Sequence, residues 1–191
     1  MSKSGLPSAG PEASSDRPTR SAPFIVTAEL PPDLFALANR LRQQHYPSER
    51  NRLAAHVTLF HAFAPSLREE LRGVLSRIAS RHAPPVARVD GLMSLGKGTA
   101  LAIASPSMLA IRAQIADHFH GALTAQDRHP PRLHITIQNK VTAQAARELQ
   151  AQLTPGLEQR AFAFAGLGLH LYRETHWDAV GQWSFRGKEG G

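Results

Sequence analysis

Hydrophobic and polar positions alternate with two different periods along this chain, and each period predicts an element. Apolar residues at every second position predict strands, whereas apolar residues three and four apart predict amphipathic helices. The predicted order is strand, helix, strand, helix, two strands, helix, strand, helix and two final strands. The strands are predicted at residues 24–30, 56–63, on either side of Gly96-Lys97-Gly98, and at 133–140, 161–172 and 177–185.

Prolines and small hydroxyl residues mark the starts of four helices. Proline fixes the backbone angle of a first helical turn, and a serine or threonine oxygen caps its free N–H groups. Helices are therefore predicted after Pro31-Pro32-Asp33, after Pro65-Ser66, from Ser105-Pro106 to Phe119, and from Thr142 to about Leu153. The fold class is mixed α and β.

The two ends of the chain differ in composition from the rest. Residues 1–22 are Ser, Pro, Gly and Ala with scattered charges, so they cannot bury enough apolar surface to offset chain entropy. We expect a disordered tail at 1–22, one domain over 23–187 and a flexible C-terminus at 188–191. The tail lacks the apolar stretch of a secretory signal, so export is not expected.

Composition removes several classes of protein. The sequence has no Cys, which excludes a disulfide framework, a thiol nucleophile, a thiolate zinc site and an iron–sulfur cluster. No apolar run approaches the roughly 18 residues of a spanning helix, so no membrane partner is expected. The absence of Cys permits a reducing compartment, and we expect a cytoplasmic monomer. The formal net charge of +7 favours an anionic partner.

One four-residue pattern occurs twice, as His56-Val57-Thr58-Leu59 and as His134-Ile135-Thr136-Ile137, 78 positions apart. Successive side chains of a strand point to opposite faces, so each copy should present its His and Thr together on one face. The apolar residues of each copy should anchor the other face in a core. If the two strands are neighbours or symmetry mates, two imidazoles and two hydroxyls converge on one cleft.

Such a cleft suits chemistry at a phosphodiester. One group must remove a proton from the attacking oxygen and another must protonate the leaving oxygen. Two His with ordinary pKa values of about 6.5 can hold opposite protonation states at neutral pH. The Thr hydroxyls can bond the non-bridging phosphate oxygens. The alternative, in which both His are core or edge residues satisfied by the backbone, stays open.

These motifs, with the opening stretch IVTAELPPDLFALANRLR, resemble the 2H phosphoesterase superfamily, in particular its bacterial 2′-5′ RNA ligase-like branch, over roughly residues 24–186. The resemblance implies an α+β fold of two pseudo-symmetric lobes, with antiparallel sheets facing each other across a central cleft and helices outside. It implies metal-free, cofactor-free phosphodiesterase or ligase action on 2′,3′-cyclic or 2′-5′-linked nucleotides. His56 and His134 match the catalytic His, and Thr58 and Thr136 match the phosphate-binding hydroxyls.

Five further residues are candidates for substrate contact. Arginines just before the two motifs can reach a phosphate, and an imidazole or phenol at the end of the strand 161–172 can stack on a base. These residues are Arg50, Arg52, Arg132, His170 and Tyr172. A solvated loop or the end of a core strand is the alternative for each. His61 has the opposite parity to His56 and should face away from the cleft.

Three functions compete on this evidence. The first is a metal-independent phosphodiesterase that opens 2′,3′-cyclic phosphates of RNA ends or small nucleotides, with reverse 2′-5′ ligation as a further activity. The second is a module that binds RNA ends or nucleotides with little catalysis. The third, a hydrolase with a His-bound metal, is disfavoured because the motif strands have no third ligand nearby. The sequence assigns neither His as the acid.

Overall fold

The computed structural model describes residues 22–188. The predicted disordered tail, apart from Ala22, and the predicted flexible C-terminus, apart from Lys188, lie outside the described residues. The α-helices are α1 (Pro32–His45), α2 (Arg68–Arg81), α3 (Pro106–His118) and α4 (Ala143–Leu153). The strands are β1 (Phe24–Glu29), β2 (Val57–Phe63), β3 (Val86–Ser94), β4 (Gly98–Ala104), β5 (His134–Asn139), β6 (Arg160–Ala163), β7 (Gly166–Arg173) and β8 (His176–Ser184).

The strands form two antiparallel four-stranded sheets. The first sheet has the order β2-β1-β7-β8, and the second has the order β5-β4-β3-β6. The second sheet takes all its strands from residues 86–163, whereas the first joins β1 and β2 to the last two strands of the chain. The predicted α+β class with two antiparallel sheets is confirmed.

The two sheets are built alike, which is the pseudo-symmetry expected from the resemblance. In each, a central strand leads through one helix to an edge strand: β1, α1 and β2 in the first, and β4, α3 and β5 in the second. The two edge strands, β2 and β5, contact each other. Both repeated motifs therefore lie where the two sheets meet.

A single apolar core supports both sheets. It contains inward residues of every central strand, and the apolar positions of both motifs are fully buried within it, namely Val57, Leu59, Ile135 and Ile137. The alternation that predicted these strands reflects this burial, because each motif strand faces the core on one side only. The core thus fixes which face carries the motif His and Thr.

Side-chain caps form at the starts of α3 and α4, whereas no side chain caps the start of α1 or of α2. The Ser105 Oγ accepts a hydrogen bond from the Met108 N–H, and the Thr142 Oγ1 accepts one from the Ala145 N–H. The helix predicted after Pro65-Ser66 begins with a short 3-10 turn at 65–67 and continues as α2. Within residues 22–188, none of the helices combines the length and apolar character that crossing a bilayer requires.

The prediction of one strand over 161–172 is wrong. The run divides at Phe164-Ala165, where β6 ends on the second sheet and β7 begins in the first. The Phe164 N–H donates to the Pro85 carbonyl, and the Ala165 N–H donates to the Glu29 carbonyl. The apolar alternation continues through the division because the fully buried Phe164 packs in the core shared by the two sheets.

Candidate active site

The two motif histidines occupy equivalent places at the ends of the two edge strands. His56 directly precedes β2, and His134 is the first residue of β5. Both imidazoles and both motif hydroxyls, Thr58 and Thr136, are half-buried. The burial alternates along each motif, so His and Thr lie on the partly open face while their apolar neighbours lie in the core.

Each motif imidazole is held by the same backbone contact. The Nδ1 of His56 lies 2.7 Å from the Ala54 carbonyl oxygen, and the Nδ1 of His134 lies 2.7 Å from the Arg132 carbonyl oxygen. A carbonyl oxygen only accepts, so Nδ1 carries the proton in both rings. In the neutral ring, Nε2 is then the free base. No other hydrogen bond within residues 22–188 engages Nε2 of either ring.

The environment of His56 favours its neutral form. Burial lowers the pKa of His56 to about 4, and the bond to the Ala54 carbonyl opposes this shift. Positive charge on Arg42, His170 and His134 lowers the pKa further. At neutral pH, His56 is therefore unprotonated and can accept a proton at Nε2.

A cavity of about 320 Å³ opens beside His56. The Trp177 ring centroid lies 4.5 Å from that of His56 and 5.6 Å from that of His170, so the indole packs against both imidazoles. Exposed residues at the cavity include Phe35, Arg52 and His176. Aromatic faces beside a cationic side chain are typical of a site for a nucleotide.

A polar cluster forms one wall of this cavity. The Thr27 Oγ1 donates to the Glu29 Oε1 at 2.8 Å and lies 2.9 Å from the His170 Nε2. The Gln182 Nε2 donates to the Glu29 Oε2 at 2.9 Å. Burial raises the pKa of Glu29, but the His170 imidazole, 3.8 Å from the Glu29 Oε1, and the hydrogen bonds from Thr27 and Gln182 outweigh it and hold that pKa below its usual range. Glu29 is therefore a carboxylate at neutral pH.

Gly168 leaves room for this cluster. A Cβ at this position would lie less than 3.0 Å from side-chain atoms of Thr27, Glu29 and His170. Thr27 pairs in register with Thr58 on one side and with Gly168 on the other. The polar wall thus continues across the sheet from the first motif.

The structure separates the five further candidates into two groups. Arg52 and His170 line the cavity beside His56. Arg50 is exposed on a 3-10 turn with its Nε 3.9 Å from the Glu49 carboxylate, and it does not line the cavity. The side chains of Arg132 and Tyr172 are exposed and also lie outside it. Arg132 contributes its backbone carbonyl to His134 instead.

Other predictions about His residues are tested by the same geometry. The parity argument for His61 does not hold, because β1 and β2 shift register between Val26 and Thr27, so Leu59 and Phe60 are both buried and His61 is exposed. The His61 Nδ1 lies 2.9 Å from the Asp127 Oδ1. Within residues 22–188, no three His, Cys, Asp or Glu side chains are grouped so that they could hold a metal ion.

Several site residues were not predicted. Trp177, Thr27 and Glu29 carry no motif, and only the long-range pairing of β1 with β7 and β7 with β8 brings them beside His56. The one usable signal was polar residues, Thr27 and Glu29, at alternate positions of an otherwise apolar strand. Such positions in a buried strand are often functional because burying them is costly without partners.

The chain matches the family model described as the 2′-5′ RNA ligase superfamily over residues 30–176, which include both motifs. It is similar to the crystal structure of TT0787 of Thermus thermophilus, with a TM-score of 0.62, 14% identity, and coverage of 87% of this chain and 100% of that chain. It is also similar to E. coli LigT complexed with NADP⁺, with a TM-score of 0.55, 12% identity and coverage of 87% and 99%. For a crystal structure described as a phosphoesterase, the TM-score is 0.53 and the identity 14%, with coverage of 86% of this chain and 98% of that chain. A search of curated proteins gave no significant match.

Proposed function

Because this chain belongs to the 2′-5′ RNA ligase superfamily, a group of 2H phosphoesterases, we propose that it is a metal-independent phosphodiesterase for 2′,3′-cyclic phosphates of RNA ends or small nucleotides. Membership of this enzymatic superfamily supports phosphodiesterase or ligase-type activity. The 2′,3′-cyclic substrate is the one that the family resemblance implies, and the roles of individual residues are inferred from the geometry of the site.

The repeated imidazole anchor is the observation that carries this proposal. Two His at pseudo-equivalent positions each bond a carbonyl through Nδ1 and leave Nε2 free. The same anchor at both positions holds each ring in one orientation and keeps Nε2 clear of protein partners within the described residues. An acid–base pair requires it, because both proton transfers use the free nitrogen.

In the proposed reaction, the neutral His56 Nε2 removes a proton from water as the water oxygen attacks phosphorus. The bond from phosphorus to one ribose oxygen breaks, and protonated His134 donates a proton from Nε2 to that leaving oxygen. The Thr58 and Thr136 hydroxyls donate to the non-bridging oxygens and stabilise the growing negative charge. In a ligation, a ribose hydroxyl replaces water as the nucleophile on the cyclic phosphate, and the two His keep these roles. They exchange roles only when a step runs backwards and the ring closes again.

The cavity beside His56 supports a nucleotide as the ligand. Trp177 offers an aromatic face and Arg52 offers a cation at the same opening. Crystal structures of E. coli LigT complexed with 3′-AMP, ATP and NADP⁺ support the same ligand class by analogy. The monomeric state, the cytoplasmic location and the single domain over 23–187 stay predictions.

The direct test is turnover of the four 2′,3′-cyclic mononucleotides and of RNA oligonucleotides ending in a cyclic phosphate, with EDTA present. We expect a phosphomonoester product and no effect of EDTA. Because His56 must be unprotonated to act, kcat/KM should fall as the pH drops towards about 4. The full profile should be bell-shaped, its limbs reporting the coupled pair of imidazoles.

Two results would contradict the proposal. Tight binding of RNA ends without turnover of any substrate would favour the binding module. Loss of turnover in EDTA, with recovery on adding a divalent ion, would indicate a metal-bound hydroxide as the nucleophile.

A further inference from the structure

Arg42 is a buried cation with unusual partners. It lies in α1 and is only 4% exposed. Its hydrogen-bond acceptors within residues 22–188 are two backbone carbonyls and one side-chain amide, with no carboxylate among them. A buried guanidinium without a carboxylate partner is costly to the fold. Because burying this charge lowers the stability of the fold, we look for a functional role of Arg42.

The partners of Arg42 belong to the second motif and to the loop before the first. Its Nη1 donates to the Thr136 carbonyl at 2.7 Å, inside the second motif. Its Nη2 donates to the Asn51 Oδ1 at 2.8 Å and to the Leu53 carbonyl at 2.9 Å, both in the loop that leads to His56. One rigid guanidinium thus joins the two sides of the candidate active site.

A second residue on the same face of α1 supports this arrangement. Asn39 lies one helical turn before Arg42, and its Oδ1 accepts a hydrogen bond from the Ala55 N–H at 2.9 Å. Ala55 is the residue directly before His56. The loop is therefore tied to α1 at Asn51, Leu53 and Ala55.

The guanidinium is itself held in a fixed orientation. Its central carbon lies 4.5 Å from the Tyr46 ring centroid, in a cation–π contact. Its Nε is buried without a hydrogen-bond partner, which leaves the two Nη groups to make all of its hydrogen bonds. Arg42 therefore behaves as a short rigid bridge from the loop before the first motif to the strand of the second.

We propose that Arg42 is a positioning residue, which sets the separation of His56 from His134 by bonding the loop before the first and the strand that carries the second. This inference rests on the proposed function, because only a two-imidazole reaction requires a fixed separation. An error of about 1 Å in the position of reacting groups can cost about 10²-fold in rate.

Arg112 provides a matched control. It lies in α3, the counterpart of α1, it is also 4% exposed, and its Nε is also buried without a partner. Its central carbon lies 4.4 Å from the Phe60 ring centroid, and its Nη2 donates to the Asp127 carbonyl. It makes no hydrogen bond to either motif or to the loop before His56. Substituting it removes a buried arginine without removing the bridge.

The first test compares kinetics of Arg42→Met, Arg42→Lys and Arg112→Met on a 2′,3′-cyclic nucleotide. We expect kcat to fall about 10- to 100-fold in both Arg42 variants, with KM changed less than about threefold. Lysine keeps the charge but has one nitrogen, which cannot serve both sides. Arg112→Met should keep kcat within about threefold. Equal losses of kcat in Arg42→Met and Arg112→Met would overturn the inference.

The second test does not depend on turnover. The pKa of His56 is read from its ring proton by NMR titration. Burial is the main cause of the low pKa of His56, and the nearby charge of Arg42 adds to it. Arg42→Met should therefore raise this pKa, Arg42→Lys, which keeps the charge, should change it less, and Arg112→Met should leave it unchanged. An unchanged pKa in Arg42→Met would contradict the proximity of the guanidinium to His56 on which the bridge depends.

The two tests separate the possible failures. If the wild-type protein turns over no cyclic nucleotide, the proposed function fails, and the titration still decides whether Arg42 acts on His56. If Arg42→Met does not fold, the kinetics of Arg42→Lys test the inference instead. A lysine variant with wild-type kcat would show that bridging is unnecessary.

Discussion

At the scale of single residues, the reactive form of each motif imidazole is set by a carbonyl two residues earlier. The Ala54 and Arg132 carbonyls fix the proton on Nδ1, and this leaves the same nitrogen free in both rings. Any residue type can supply a backbone carbonyl. The sequence therefore predicted which His to examine but could not predict which nitrogen reacts.

Removing either motif imidazole should abolish most of the chemistry and little of the fold. We expect His56→Ala and His134→Ala each to lower kcat on a 2′,3′-cyclic nucleotide by about 10² to 10⁴-fold, the usual contribution of a positioned acid or base. His129→Ala, at an exposed site, is the matched control. A folded His56 or His134 variant with near wild-type turnover would refute the two-imidazole mechanism.

The lowered pKa of His56 should also appear in stability. The unfolded chain protonates residue 56 near pH 6.5, whereas the native protein does so only near pH 4. Between these values the unfolded state binds more protons, so the stability contributed by residue 56 falls as the pH falls. In urea titrations, wild type should lose more stability than His56→Gln between pH 7 and 4. Equal losses of stability in wild type and His56→Gln would mean that folding does not lower the pKa of His56.

At the scale of elements, the spacing of apolar residues and the positions of proline, serine and threonine predicted the strands and helices well, because each element faces the core on one side. They failed at Phe164, where two strands in different sheets share one continuous alternation. The sequence pattern also gave no role to Asn39 and Arg42, because polar residues of an amphipathic helix are normally expected on its solvent-exposed face. Only the packing of α1 against β5 shows that Arg42 is buried.

Gly168 should be sensitive to substitution, because side chains of neighbouring residues in the first sheet lie very close to its Cα. Gly168→Ala should push apart Thr27, Glu29 and His170, with a loss of about 1–3 kcal/mol of stability and reduced kcat/KM. Gly73→Ala, in the exposed middle of α2 with open space at its Cβ, should instead stabilise by roughly 0.5–1 kcal/mol. Chemical denaturation of both variants is the measurement. A neutral Gly168→Ala would show that the polar wall is not tightly packed.

At the scale of the whole molecule, the net charge of +7 should appear as a salt dependence of RNA binding. For a single strand, the slope of log affinity against log salt is about −0.7 per phosphate contacted. Arg52→Ala, at the cavity, should make this slope shallower by about 0.7. Arg50→Ala, beside Glu49 and outside the cavity, should leave it unchanged. A flat response in the wild type would favour a small nucleotide over RNA.

The order in which the chain contributes its strands has a consequence for synthesis. Every strand of the second sheet has left the ribosome once residue 163 has emerged, but the first sheet must wait for β7 and β8. Non-local pairing of this kind forms late and slowly. A nascent chain therefore carries both motif histidines long before it carries His170 and Trp177. The site beside His56 is completed only once β7 and the Trp177 of β8 have been translated.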